Sequence, residues 1–182
     1  LRQDGIEPTA IASLLARIGT ADPVVPQRQL AAVIDSFDLG KFGRATAKFD
    51  SSELAKLNSQ IVQELDFVDV ETRLADSGVT GDAQFWLAVR GNLATVDEAR
   101  VWWDICTQPL TPIIDSPTVT NAAAALLPAG DLNSAIWSSW TKSIAAETGV
   151  KGKGLFMPLR LALTGRDNGP EIAPLMAIMG RE

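Results

Sequence analysis

The sequence contains no histidine and no tyrosine, and Cys106 is its one cysteine. Without imidazole and with a single thiol, a zinc site of the Cys/His type cannot be assembled within the chain. A Ser-His-Asp or Cys-His nucleophile system is excluded on the same count. So is an intrachain disulfide, and nothing points to an oxidising compartment. Long apolar runs are missing too. The longest, Ala122 to Leu127, has six residues and stops at Pro128, far short of the roughly 18 that suggest a membrane span. The sequence opens at Leu1 with no charged-then-apolar signal pattern. The chain is therefore read as cytoplasmic, with no membrane partner, and as a piece of a longer protein.

What is present is a globular balance. Apolar residues make up 46% and charged residues 21% of the 182 positions, too apolar for a disordered chain. A chain this long buries roughly 70% of its unfolded surface and needs no staples. The apolar spacing is helical almost throughout. Ile11, Leu14, Leu15 and Ile18 fall at i, i+3, i+4, i+7 between Pro8 and Gly19, and Leu30, Val33, Ile34 and Phe37 repeat the spacing. Asp50 with Glu53 reads as a capping box ahead of Leu54, Leu57, Ile61 and Leu65, and Thr95 with Glu98 as a second, ahead of Val101, Trp102 and Ile105. Ser116-Pro117 predicts a helix running to Leu127. Further stripes are Trp137/Trp140/Ile144, Leu155/Leu159/Leu163 and Ile172/Leu175/Met179, with Pro158 expected in a first turn and Pro170 opening the last helix.

No sustained alternation of period two occurs, and no repeat has a fixed period. The expected fold class is all-α. Loop composition suggests cuts near 68, where Asp66 to Asp69 separates two stripes, and near 112, after Thr107-Gln-Pro-Leu-Thr-Pro112. These divide the chain into 1–68, 69–112 and 113–182.

Few residues look chemical. The carboxylate pairs Asp66/Asp69 and Asp97/Glu98 sit beside cap signals and read as capping or solvated charges. Cys106 follows an apolar helix face and reads as a buried structural thiol. The five tryptophans read as core. Lys151-Gly-Lys-Gly-Leu155 lacks the Gly-Lys-Ser/Thr ending of a phosphate loop. Charge is distributed unevenly. Residues 1–139 carry 10 positive and 18 negative groups, whereas 140–182 carry 6 and 4. Ordinary scatter on a solvated face would explain this. So would a phosphate-facing edge, on which Lys151 and Lys153 flank a glycine turn and a helix starting near Leu155 points its amide dipole outward.

The string Lys151-Gly-Lys-Gly-Leu-Phe-Met-Pro-Leu-Arg-Leu-Ala-Leu-Thr-Gly-Arg166, followed by Gly169-Pro-Glu171, resembles the C-terminal region of bacterial glutamyl-tRNA synthetases. Lys48-Phe-Asp-x-x-Glu-Leu-x-x-Leu-Asn58 is similar to the family's stretch after the catalytic domain. Asp4-Gly-Ile-Glu-Pro8 is similar to the segment beyond its Lys-Met-Ser-Lys-Ser-type loop. The resemblance covers essentially the whole chain. The family's His-Ile-Gly-His signature belongs to its catalytic half, which a chain without histidine cannot contain.

The resemblance implies a stem-contact helical region followed by a two-part helical anticodon-binding bundle. It implies a piece of a class I glutamate–tRNA ligase that holds and reads glutamate tRNA, and that does not aminoacylate by itself. ATP, with Mg2+, would belong to the parent's catalytic domain, and this piece would need no cofactor. A monomer is expected. By position, Arg160, Thr164 and Gly165 match the family's Pro-Leu-Arg-x-Ala-Leu-Thr-Gly motif, where the anticodon lies close in relatives. Arg160 would offer a planar donor fork, and the Thr164 hydroxyl would read a base edge. Lys151 and Lys153 would meet phosphates, and Arg166 would belong to the same tRNA-binding set. Asn58 matches a recurring family Asn and is read as structural. Some relatives that accept only glutamate tRNA carry an Arg sensing the third anticodon base. Asn92 stands at that place, with Arg90 two positions earlier. Asn lacks the charged fork, so glutamine tRNA is a second candidate partner, and a two-residue shift would give the role to Arg90. The alternative of another class is a helical protein-interaction module without RNA binding.

Overall fold

The computed structural model describes residues 3–44, 46–130 and 132–180. Among them there is no strand, only one isolated antiparallel bridge between Thr20 and Phe42. The elements are α1 (Pro8–Leu15), α2 (Leu30–Asp35), α3 (Ser51–Glu64), α4 (Phe67–Asp76), α5 (Ala83–Val89), α6 (Ala99–Thr107), α7 (Pro117–Ala125), α8 (Ser134–Thr148), α9 (Lys153–Thr164) and α10 (Ile172–Met179). Short 3-10 turns lie at Leu39–Lys41, Arg90–Asn92 and Val96–Glu98. The all-α expectation holds. None of these helices is long and apolar enough to cross a membrane.

Contacts divide the chain into two compact units, Leu1–Asp82 with Arg90–Arg100, and Ala83–Val89 with Val101–Glu182. The first is built on α3. Its stripe of Leu54, Leu57, Ile61 and Val62 is buried, and α1 and the Arg90–Asn92 turn pack on it. Asn58, at 1% exposure, holds three segments of this unit together. Its Oδ1 accepts from the Glu7 amide at 2.7 Å, and its Nδ2 donates to the carbonyls of Ala94 at 2.7 Å and Gly5 at 3.3 Å. The Glu7 carboxylate meets Arg73 Nη1 at 2.6 Å. The structural reading of Asn58 follows from this geometry, since both Nδ2 hydrogens and the buried Oδ1 are engaged by backbone of the same unit.

The second unit packs α7, α8, α9 and α10 around Val119, Ala123, Trp140, Ile144, Leu155, Leu159, Ile172 and Met176. Trp140 Nε1 donates to the Ala123 carbonyl at 3.0 Å, so the buried indole is satisfied. Asn133 caps α8 by accepting from the amides of Ala135 and Ile136.

Several local expectations are corrected. The stripes of α3 and α4 do part here, between Glu64 and Phe67, and Asp66 to Asp69 is also the start of the second helix. The Asp66 side chain accepts from the Asp69 backbone amide, and Asp69 Oδ2 accepts from the Asp66 amide at 3.0 Å, a capping box that opens α4. The boxes expected at Asp50/Glu53 and Thr95/Glu98 are not formed. Asp50 accepts from Ser52, Thr95 makes no side-chain cap bond, and Glu98 accepts from the Ala94 amide instead. Helix α7 stops at Ala125, two residues early, because the position before Pro128 disfavours the α conformation. Pro158 lies inside α9 and not in its first turn. Gly152 adopts φ 59 and starts the helix at Lys153. The missing Pro158 N–H then leaves the carbonyl of Gly154, an exposed residue able to meet water. The last helix starts at Ile172, past Pro170.

Candidate nucleic-acid interface

Helix α9 and the loop that follows it carry most of the singled-out residues. At the start of α9, Leu155 and Phe156 amides both reach back to the Gly152 carbonyl at 3.0 Å. The amides of Lys153 and Gly154 precede any intrahelical acceptor. Lys151, Gly152, Lys153 and Gly154 are all exposed. This end therefore presents free amides, the positive end of the helix dipole and two ammonium groups, an arrangement that attracts anions.

The other end is built differently. Thr164 is 1% exposed. Its Oγ1 donates to the Arg160 carbonyl at 2.8 Å and accepts from the Arg166 amide at 3.2 Å. The hydroxyl closes the helix end from a buried position. Gly165 follows in the left-handed conformation. Arg160 is half-buried: Nη2 donates to the Pro170 carbonyl at 2.9 Å, and Nη1 is buried with no acceptor among the described residues. The fork expected to meet a phosphate or a base has Nη2 on the loop carbonyl and Nη1 buried. Arg166 is exposed, with its guanidinium carbon 5.7 Å from the Trp102 ring centroid. Gly169 lies against the same indole, at φ 128, and a Cβ there would come within 2.2 Å of Cη2.

The structure thus joins Arg160, Thr164, Gly165 and Arg166 through one loop braced on Trp102, while Lys153 opens the same helix, about 10 Å of rise before Arg160 and about 17 Å before Thr164. Arg90 and Asn92 belong to the other unit. Arg90 Nη1 donates to the Leu65 carbonyl at 2.7 Å and lies 3.7 Å from Asp66. Asn92 is exposed. Asp66 is also gripped by Arg28, which holds its carboxyl below the usual range.

Residue-by-residue reading of the sequence passed over Phe156. It stands three positions after Lys153, off the buried Leu155/Leu159 stripe, and the residue is 46% exposed. That offset from the stripe was the available signal.

Residues 114–182 match the family described as anticodon binding domain. Along 98% of its length the chain is 45% identical to glutamate–tRNA ligase 1 of Maricaulis maris, and along all of it 44% identical to glutamate–tRNA ligase 2 of Methylorubrum populi. It spans about 40% of the length of these curated relatives. A crystal structure of a glutamate tRNA ligase from Elizabethkingia meningosepticum superposes with a TM-score of 0.76 over 98% of this chain and 39% of that one, at 22% identity.

Proposed function

From the premise that the chain is, along its whole length, a homologue of part of the glutamate–tRNA ligases, we propose that it is the tRNA-holding portion of such an enzyme. The anticodon-binding match over residues 114–182 carries this reading. It is supported by the cationic, amide-bearing start of α9 within that stretch. Lys151, Lys153 and Arg166 serve as phosphate contacts, and Arg160 serves by positioning the 165–170 loop. The divisions 1–68, 69–112 and 113–182 are kept as the stem-contact region and the two anticodon-binding parts, the last starting beside the matched stretch.

In this reading glutamate is attached to tRNA, at the expense of ATP with Mg2+, by the part of the enzyme outside these 182 residues. The chain alone then binds without aminoacylating, as a monomer in the cytoplasm. Glutamate tRNA is the expected partner. Glutamine tRNA is a second, because exposed Asn92 lacks a guanidinium and Arg90 is occupied by Leu65 and Asp66.

Filter binding of the chain to glutamate tRNA at low and moderate salt tests the proposal. Saturable binding that weakens with salt is expected. Absence of binding at low salt would favour a protein-interaction module instead. That second reading draws on the exposed apolar side chains of Ile34 and Leu39, 64% and 76% accessible, and on the acidic balance of residues 1–139 as a whole.

A further inference from the structure

The surface beside Lys153 carries an aromatic row. Lys153, Phe156 and Arg160 fall at i, i+3 and i+7 and so share one face of α9. The 165–170 loop covers the Arg160 end of that face, as the Arg160–Pro170 bond shows. The Phe156 end stays open. The Phe156 ring centroid lies 6.3 Å from that of Trp137, tilted by 38°. Trp137, half-buried on α8, stands edge-on to Trp140 at 5.9 Å and 69°. Trp140 is buried and pinned by its bond to Ala123. The row therefore runs from an anchored indole in the core to a ring in solvent, and Trp137 backs Phe156 from the core side.

An exposed phenylalanine alone is unremarkable on a protein surface. This one is backed by another ring and stands one helical turn beyond Lys153 on the same face, with Lys151 just before the Gly152 turn. Aromatic faces beside backbone-neutralising cations are how proteins hold unpaired nucleotides, because every base has a π face to stack. We propose that Phe156, supported by Trp137, is a stacking platform for one unpaired base of the bound RNA, with Lys151 and Lys153 on the adjoining phosphates. The inference rests on the tRNA-holding reading and adds to it a named subsite. The platform selects for an unpaired base and not for its identity, so it grips the loop without reading it.

The test uses the whole chain and a glutamate-tRNA anticodon stem–loop carrying 2-aminopurine at each unpaired loop position in turn. With the unaltered chain, one position is expected to show fluorescence quenched on binding, as stacking requires. Phe156→Leu keeps the apolar volume but has no ring. It is expected to abolish that quenching and to weaken binding roughly 5- to 100-fold, the worth of one stacked base, with no change in salt slope because no charge is lost. Phe156→Tyr is expected to restore both. Equal affinity and equal quenching for Phe156→Leu and the unaltered chain overturns the platform while leaving tRNA binding intact. Failure of the unaltered chain to bind the stem–loop overturns the underlying reading instead. Circular dichroism of each variant, at a site this exposed, confirms that the fold is kept.

Discussion

Arg160 reaches ten residues along the chain to donate from Nη2 to the carbonyl of Pro170, at 2.9 Å. The bond ties the middle of α9 to the far end of the loop that wraps Trp102. A residue that looks, in the sequence, like a free cation for RNA is thus a brace.

Arg160→Ala is therefore expected to lower stability by about 1–3 kcal/mol, the cost of a truncated charged hydrogen bond. Arg160→Lys is expected to recover little of it, because an ammonium on a flexible stem does not reproduce the fork. tRNA affinity should fall more for Arg160→Ala than for Arg28→Ala, whose ion pairs with Asp66 and Asp69 are exposed and screened by solvent. Urea midpoints and filter binding measure the two effects.

Gly169→Ala places a methyl in the Trp102 indole at a backbone angle that L side chains rarely adopt. A loss of at least about 1–3 kcal/mol is expected from the strain alone. The environment of Trp102 should change with it, and near-ultraviolet circular dichroism reports both the shift and the melting point.

Much of this arrangement was legible in the sequence, and the illegible parts share a cause. The stripes of α3, α8, α9 and α10 announced themselves because one face of each is buried. Helix α5 did not, because its seven residues are too few to show a period. Asp66 and Asp69 were visible as acids, but whether acids cap a helix or break it depends on the backbone between them. The strip of cations near the carboxyl end was legible as charge. Which of them face solvent was not, since Arg160 and Lys153 differ only in what the 165–170 loop does afterwards. Phe156 was hidden for the converse reason: an aromatic next to an apolar stripe reads as core until its exposure is seen.

Asn58→Leu removes the three hydrogen bonds that join Glu7, Gly5 and Ala94 through one buried amide. An expected loss of about 2–5 kcal/mol follows from leaving the Glu7 amide and the Ala94 carbonyl unpaired. Thermal unfolding measures it. The salt slope of tRNA binding should be unaffected, because Asn58 carries no charge.

Cys106 gives a pH signature. Its thiol lines an apolar cavity of about 1000 Å³ with Trp140, Leu159 and Met176, and burial pushes its pKa up from 9.0 to about 11. The folded state keeps the proton where the unfolded chain releases it. The thiol's contribution is full below pH 9 and is lost as pH rises from 9 to 11, at up to about 1.4 kcal/mol per pH unit. Cys106→Ala should flatten the stability curve in that window relative to the unaltered chain. Coincident slopes between pH 9 and 11 would contradict it.

Asn92→Arg is expected to raise the preference for glutamate tRNA over glutamine tRNA, since it supplies a fork at an exposed position of the Arg90–Asn92 turn. An unchanged ratio of affinities would place the discriminating residue elsewhere.

The central claim is that exposed cations at the start of α9 neutralise phosphates of a bound tRNA, and the salt dependence of binding reads this directly. Log Kd for glutamate tRNA is measured against log salt for the unaltered chain and for Lys151→Ala/Lys153→Ala. Loss of two phosphate contacts on a single-stranded loop should reduce the slope by about 1.4 and weaken binding at low salt. Identical slopes and affinities for the two proteins would mean that these lysines face no polynucleotide, and the account would fail there.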